Sequence, residues 1–155
     1  MNSIWHEFLA ATGARIDQDL VTDFGDPPGE LSAACTATIV SPLTHLRLIA
    51  VGGPEAAVFL HNQVTSDIKH LATDAAQHSA WCSAKGRMLA SFLVFRSGAD
   101  YHLQLSADLL ATIVKRLQMF VLRSKVTIAD LSGNREILGL AGPHELGVGA
   151  AHRPR

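Results

Sequence analysis

The stretch Trp81–Phe92, WCSAKGRMLASF, decides the fold class. Two apolar runs flank a short polar break, and that break holds Lys85, Gly86 and Arg87 in a row. The pattern predicts strands over Gln77–Cys82 and Met88–Arg96, joined by a glycine-centred turn. On the second strand Ser91, Leu93 and Phe95 fall on one face, and Phe92 and Val94 on the other. Apolar residues on both faces predict a strand covered on both sides. Gly86 is free to take a positive φ, which lets neighbouring N–H groups point at one spot. Lys85 and Arg87 flank that spot with positive charge, and a guanidinium can grip a carboxylate with two parallel bonds. Taken alone, the turn reads first as a solvated hairpin turn, because turns are commonly polar and glycine-centred. The rim of an anion site is the second reading.

Working outward, Ser3–Ala11 reads as a short helix capped by Ser3, with Ile4, Trp5, Phe8 and Leu9 at helical spacing. Asp23–Ser32, rich in Pro and Gly, reads as a loop. Thr36–Val40 is β-branched and stops at Ser41-Pro42, and Leu46–Val51 is a second strand. Gly52-Gly53 breaks that strand, and Pro54 then starts a helix to His61 that buries Ala57, Val58 and Leu60. In NQVTSDIKHL, Thr65 or Ser66 caps another short helix with Asp67 in its first turn. Tyr101–Leu105 is a strand after the turn signal Ser97–Asp100. A helix begins at Ser106. Its apolar stripe is Leu109, Leu110, Ile113, Val114, Leu117 and Phe120. Lys125–Ala129 and Glu136–Leu140 are the last strands. Irregular alternation with hairpin-length links predicts an α+β fold, a largely antiparallel sheet with packed helices.

The chain has 155 residues, the size of one ordinary domain. With 48% hydrophobic and 17% charged residues it is a globular sequence. A net charge of −1 argues against direct nucleic-acid binding and against an anionic membrane surface. The two cysteines, Cys35 and Cys82, form no disulfide framework and read as free thiols of a reducing cytoplasm. No apolar run is long enough for a membrane span, and MNSIWHEFLAATG lacks the basic and apolar regions of a signal peptide. Among the eight histidines none forms an HxxH or HxxxH pair. His78 and Cys82, four apart on a strand, would stand about 13 Å apart, too far to share a metal, so no metal site is expected. Nucleophile-elbow, P-loop and dinucleotide glycine patterns are absent as well.

The order LTHLRLIAVGGPEAAVFLHNQVTSD, WCSAKGRMLASFLVFR and LQMFVLRSKVTI resembles the YgfZ-type folate-binding proteins. These are relatives of the glycine-cleavage T-protein, the tetrahydrofolate-dependent aminomethyltransferase. The resemblance runs from His45 to Gly142, and more loosely over FLAATGA and FGDPPGEL. Gln63–Asp67 and Cys82–Met88 are specific in combination. The resemblance implies a T-protein-like N-terminal part over residues 1–142, a frayed tail over 143–155, and absence of the family's later domains. It implies binding of tetrahydrofolate or a derivative, whose glutamate tail is anionic. Gln63, Asp67, Lys85, Gly86, Arg87, Ser91, Leu93 and Phe95 are the expected binding residues. It also implies support of iron–sulfur cluster assembly or repair, and of tRNA modification through it, with iron–sulfur enzymes or assembly factors as partners.

Two departures bear on chemistry. Where the aminomethyltransferases carry an Asp pair after the glycine turn, this chain has Ala90-Ser91. Neither side chain can orient or electrostatically activate a reacting folate nitrogen as a carboxylate does, so no catalytic residue is expected. The family's later Lys-Gly-Cys-x-x-Gly-Gln-Glu run is also absent. Two other readings stay open at this point. An aminomethyltransferase would need a carboxylate from elsewhere, such as Asp67. A ligand-free assembly module would use uncovered strand edges and apolar surface, which invite self-association.

Overall fold

The structure, a computed structural model, describes residues 2–73 and 75–142. In chain order the elements are α1 (Ser3–Ala11), β1 (Arg15–Asp17), β2 (Leu20–Asp23), α2 (Pro27–Thr36), β3 (Ile39–Pro42), β4 (Leu46–Gly52), α3 (Ala56–His61), β5 (Ala76–Cys82), β6 (Met88–Ser97), β7 (Asp100–Ser106), α4 (Leu110–Val121), β8 (Thr127–Asp130) and β9 (Leu138–Ala141). A 3-10 turn, Ala107–Leu109, leads into α4. The expected tail over 143–155 lies outside the described residues. Those residues divide into two compact units, 2–46 with 132–142, and 47–131.

In the first unit α1 has the expected bounds, but its cap is Asn2, whose side chain accepts from the Trp5 N–H at 2.8 Å. The segment expected to be a loop folds as α2. Pro27 and Pro28 occupy the first helical positions, where no N–H donor is needed. Asp26 accepts from the Gly29 N–H, and Glu30 reaches back to the N–H groups of Phe24 and Asp26, as in a capping box. Thr36 stays in this helix, its hydroxyl bonded to the Ser32 carbonyl, so β3 starts three residues later than its composition predicts. The β1–β2 hairpin turns through Gln18 (φ 46°) and Asp19 (φ 67°). That shape is the one usually signalled by Asn-Gly or Asp-Gly, which explains why the sequence does not announce it. β3 pairs antiparallel with β9, Ile39 opposite Ala141.

In the second unit a five-stranded sheet runs in the order β5-β6-β7-β4-β8. The β5–β6, β6–β7 and β4–β8 junctions are antiparallel, so the sheet is largely antiparallel and the fold is α+β. One sheet face supplies Ile49, Val51, Trp81, Phe92, Val94 and Leu103 to a single apolar core. Phe59 and Leu60 of α3, with Ile113 and Leu117 of α4, close that core. Strand alternation and the helical stripe thus bury the same layer from two sides. α3 turns differently from expectation. Ala56, Phe59 and Leu60 go inward, while Val58 is exposed. α4 buries the middle of its stripe but leaves Phe120 exposed.

The second short helix does not form. The Thr65 N–H donates to the Ala80 carbonyl at 2.9 Å, and the Thr65 hydroxyl accepts from the Ala80 N–H at 3.0 Å. The hydroxyl that would cap a helix is thus spent on the edge of β5. Ile68, fully buried, pins the segment to the core. Tertiary pairing here overrides a local capping preference.

Candidate functional site

The turn between β5 and β6 is held by three bonds within itself. Ser83 N–H donates to the Arg87 carbonyl at 2.8 Å, and Gly86 N–H to the Ser83 carbonyl at 2.9 Å. Arg87 N–H donates to the Ser83 hydroxyl at 3.1 Å. Gly86 takes the positive φ, 75°, that the sequence anticipated. The N–H groups of Gly86 and Arg87 are nevertheless consumed inside the turn, so they do not form an anion-binding concavity. What remains for an anion is the pair of exposed side chains, Lys85 and Arg87. Just beyond the turn the register shifts. Trp81 faces Ala90 while Cys82 faces Met88, leaving Leu89 as the extra residue of a bulge.

Along β6 the two faces separate cleanly. Ala90, Phe92 and Val94 are buried in the core. Ser91 is exposed, and Leu93 and Phe95 are half-buried on the opposite face. Full cover on both sides, expected from the sequence, is therefore not observed at Ser91. Across the sheet Ser91, Leu93 and Phe95 stand opposite Ala80, His78 and Ala76 of β5. Leu93 and Phe95 also oppose Gln104 and His102 of β7. The Phe95 and His102 rings stack at 5.2 Å with a 13° interplanar angle. Sequence reading missed His102 and Gln104, because only strand register brings them beside β6.

Gln63 and Asp67 lie on the far side of β5. Thr65 bonds Ala80, and Ala80 faces Ser91, so Thr65 is two strand spacings from Ser91, about 10 Å. The Asp67 carbonyl accepts from the Gln77 amide at 2.9 Å, which ties the segment along the strand edge. The eight expected residues do not converge on one point. Along β6, Arg87 and Phe95 are separated by about 26 Å of extended chain. They make a strip, cationic at the turn and apolar further along.

Asp67 is already engaged. One carboxylate oxygen lies 2.7 Å from His70 Nδ1, and the other 3.3 Å from His61 Nδ1, the latter out of line for a hydrogen bond. The hydrogen bond from the His70 ring holds the Asp67 carboxyl below its ordinary pKa, with smaller help from the charges of His70 and His61. The two histidines stand nine positions apart, so no spacing rule pointed to them. A depressed carboxyl stabilises the fold above its unfolded pKa and loses that contribution as pH falls through its folded value. Asp67→Asn should therefore melt slightly below the natural chain at pH 6. The gap should close as pH drops below about 4, read by circular dichroism melts across pH. A gap unchanged down to pH 2 would mean the clamp is not ionic.

Among the described residues no three His, Cys, Asp or Glu side chains group as metal ligands, and no helix is long and apolar enough to cross a membrane. Cys35 and Cys82 are both free thiols.

Comparison with known proteins adds the lineage. Residues 28–148 match the family described as the GCVT N-terminal domain. The chain belongs to that family. The tRNA-modifying protein YgfZ of Photorhabdus laumondii is 32% identical over 111 residues, covering 72% of this chain and 33% of the relative. The YgfZ of Pectobacterium carotovorum is 32% identical over 119 residues, covering 77% and 35%. An aminomethyltransferase of Shouchella clausii is 28% identical over 131 residues, covering 84% and 35%. The chain thus spans about a third of the length of the curated relatives it matches. In three dimensions it resembles the glycine cleavage system aminomethyltransferase T of Bartonella henselae, with a TM-score of 0.78 at 19% identity. That likeness covers 92% of this chain and 41% of the other, and it identifies the GCVT fold.

Proposed function

We propose that this GCVT-family chain contributes to a tetrahydrofolate-binding protein that holds its ligand without reacting it. Its role would be support of iron–sulfur cluster assembly or repair, and of tRNA modification through it. The observation that carries this reading is Ala90-Ser91. Ala90 is buried in the core, and Ser91 is the exposed polar group on the open face of β6. No carboxylate stands at either position. The nearby acid, Asp67, is committed to His70 and His61. Aminomethyl transfer, which the Shouchella relative's name would suggest, lacks its electrostatic partner here.

The strip supplies what a long ligand with an anionic tail needs. Lys85 and Arg87 attract carboxylates at the turn, and Ser91, Leu93 and Phe95 offer one hydroxyl beside apolar surface. Gln63 and Asp67 frame the far side of β5. Partners of the iron–sulfur type, and a cytoplasmic setting, follow from the same reading.

The test is calorimetric titration of tetrahydrofolate into a chimera in which these residues replace the matching third of the Photorhabdus relative. Binding is expected, and Lys85→Ala with Arg87→Ala should weaken it about tenfold while the circular dichroism spectrum stays unchanged. A folded chimera that takes up no folate would end the proposal. Unchanged affinity in the double variant would return the turn to a solvated hairpin.

A further inference from the structure

His102 on β7 lies outside the eight expected binding positions, and strand register sets it beside one of them. On the face of β6 that carries Ser91 and Leu93, Phe95 stands between Ala76 of β5 and His102 of β7. The two flanks are unequal. A methyl group is too small to cover an aromatic face, so Ala76 gives its side of the Phe95 ring little lateral support. The imidazole covers the other side. The two rings stand 5.2 Å apart, centre to centre, and 13° from parallel. That separation lies within the range of stacked aromatic pairs.

Phe92 and Val94, on the opposite face of the same strand, are held by the core. Phe95 has no such enclosure, since it is half-buried on the open face of the sheet. An aromatic side chain left to swing must be ordered when a ligand docks on it, and that ordering lowers affinity. A neighbour that fixes the ring beforehand removes the loss. Histidine suits the task. It offers a flat face for stacking, and its polar edge tolerates water at a half-buried position.

We propose that His102 is a positioning residue of the folate strip, holding the Phe95 ring so that its face above Ala76 receives a flat group of the ligand. It acts through Phe95 and not by touching the ligand. The inference rests on the folate reading above and adds to it a residue on a third segment of the sheet.

The experiment is calorimetric titration of tetrahydrofolate into the chimera described above and its variants, each checked for the parent's circular dichroism spectrum. His102→Ala should weaken binding about three- to tenfold, the range that one aromatic pair and one ordered side chain supply. His102→Phe keeps a flat face and should bind within about twofold of the parent. His102→Leu keeps the bulk without the flat face and should lose as much as His102→Ala. The decisive comparison is Phe95→Ala with and without His102→Ala. With the phenyl ring gone nothing is left to position, so the second substitution should change affinity by less than about twofold. Equal losses from His102→Ala in both backgrounds would give His102 a role independent of Phe95 and overturn the inference. So would undiminished affinity in His102→Ala, or a leucine that restores binding as well as phenylalanine does. Where His102→Ala misfolds, the phenylalanine and leucine variants decide. A folded parent chimera that binds no folate would end the folate reading and this inference together, whereas a binding parent indifferent to His102 ends this inference alone.

Discussion

Gly53→Ala is expected to destabilise the second unit by about 3–4 kcal/mol, a large share of the 5–15 kcal/mol that holds a typical domain together. Gly53 sits where β4 ends and the chain turns toward α3, with φ 104°. That conformation is strained for any L side chain. A Cβ would also run into the Lys125 backbone carbonyl and come within 3.2 Å of the Val126 Cα. Backbone atoms cannot swing aside as a side-chain tip can. Relief would require β8 to move off β4, breaking the pairing of Gly52 with Thr127. Gly86→Ala is the control. It shares a positive φ, 75°, but has open space around its Cβ, so only the conformational penalty applies, about 1 kcal/mol. Urea unfolding followed by circular dichroism checks both. Equal midpoints for the two variants would contradict the close approach at Gly53.

Trp81→Ala should cost about 3–5 kcal/mol by the same measurement. Trp81 is 5% exposed, between the β5–β6 hairpin and α4. Its removal leaves a cavity under Phe120 and takes away the edge-to-face contact, itself worth about 1 kcal/mol. Trp81→Phe keeps an aromatic ring at the site and should lose less than half as much. The hairpin supplies two neighbouring strands of the five-stranded sheet, so its loosening should lower the cooperativity of the whole sheet. A variant as stable as the natural chain would mean that the core does not depend on this residue.

The strands around WCSAKGRMLASF were legible because alternation and the glycine break are local properties of the chain. So was α4, whose stripe spans a whole helix. The elements misread share one physical feature. In each, the deciding bonds go to partners that local pattern does not weigh. α2 begins with two prolines that look like loop residues, yet Asp26 and Glu30 supply its caps. Thr65 reads as a helix cap but bonds Ala80, fifteen residues on. α3 shows the correct helix but the wrong buried face, because the sheet beneath it chooses Phe59 over Val58.

The expected binding residues divide in the same way. Family resemblance named eight positions, and all lie in the second unit. Their arrangement as a strip, cationic at one end, follows from strand register. The spent N–H groups at Gly86 and Arg87 and the engagement of Asp67 by two histidines were invisible in one dimension. In the folate-binding proposal they leave an anion only the Lys85 and Arg87 side chains, and they show the Asp67 carboxylate already hydrogen-bonded to His70.

By itself the sequence determined that this chain makes an α+β fold with a glycine-turned hairpin at its centre, because periodicity and turn chemistry are written residue by residue. It also determined that Ala90 and Ser91, neither of them a carboxylate, stand on the strand that follows that turn. Only the tertiary structure decided which face of the hairpin is buried, which backbone groups remain available, and that His102 stacks on Phe95. Those outcomes depend on contacts between residues far apart in the chain, and burial, not local preference, sets them.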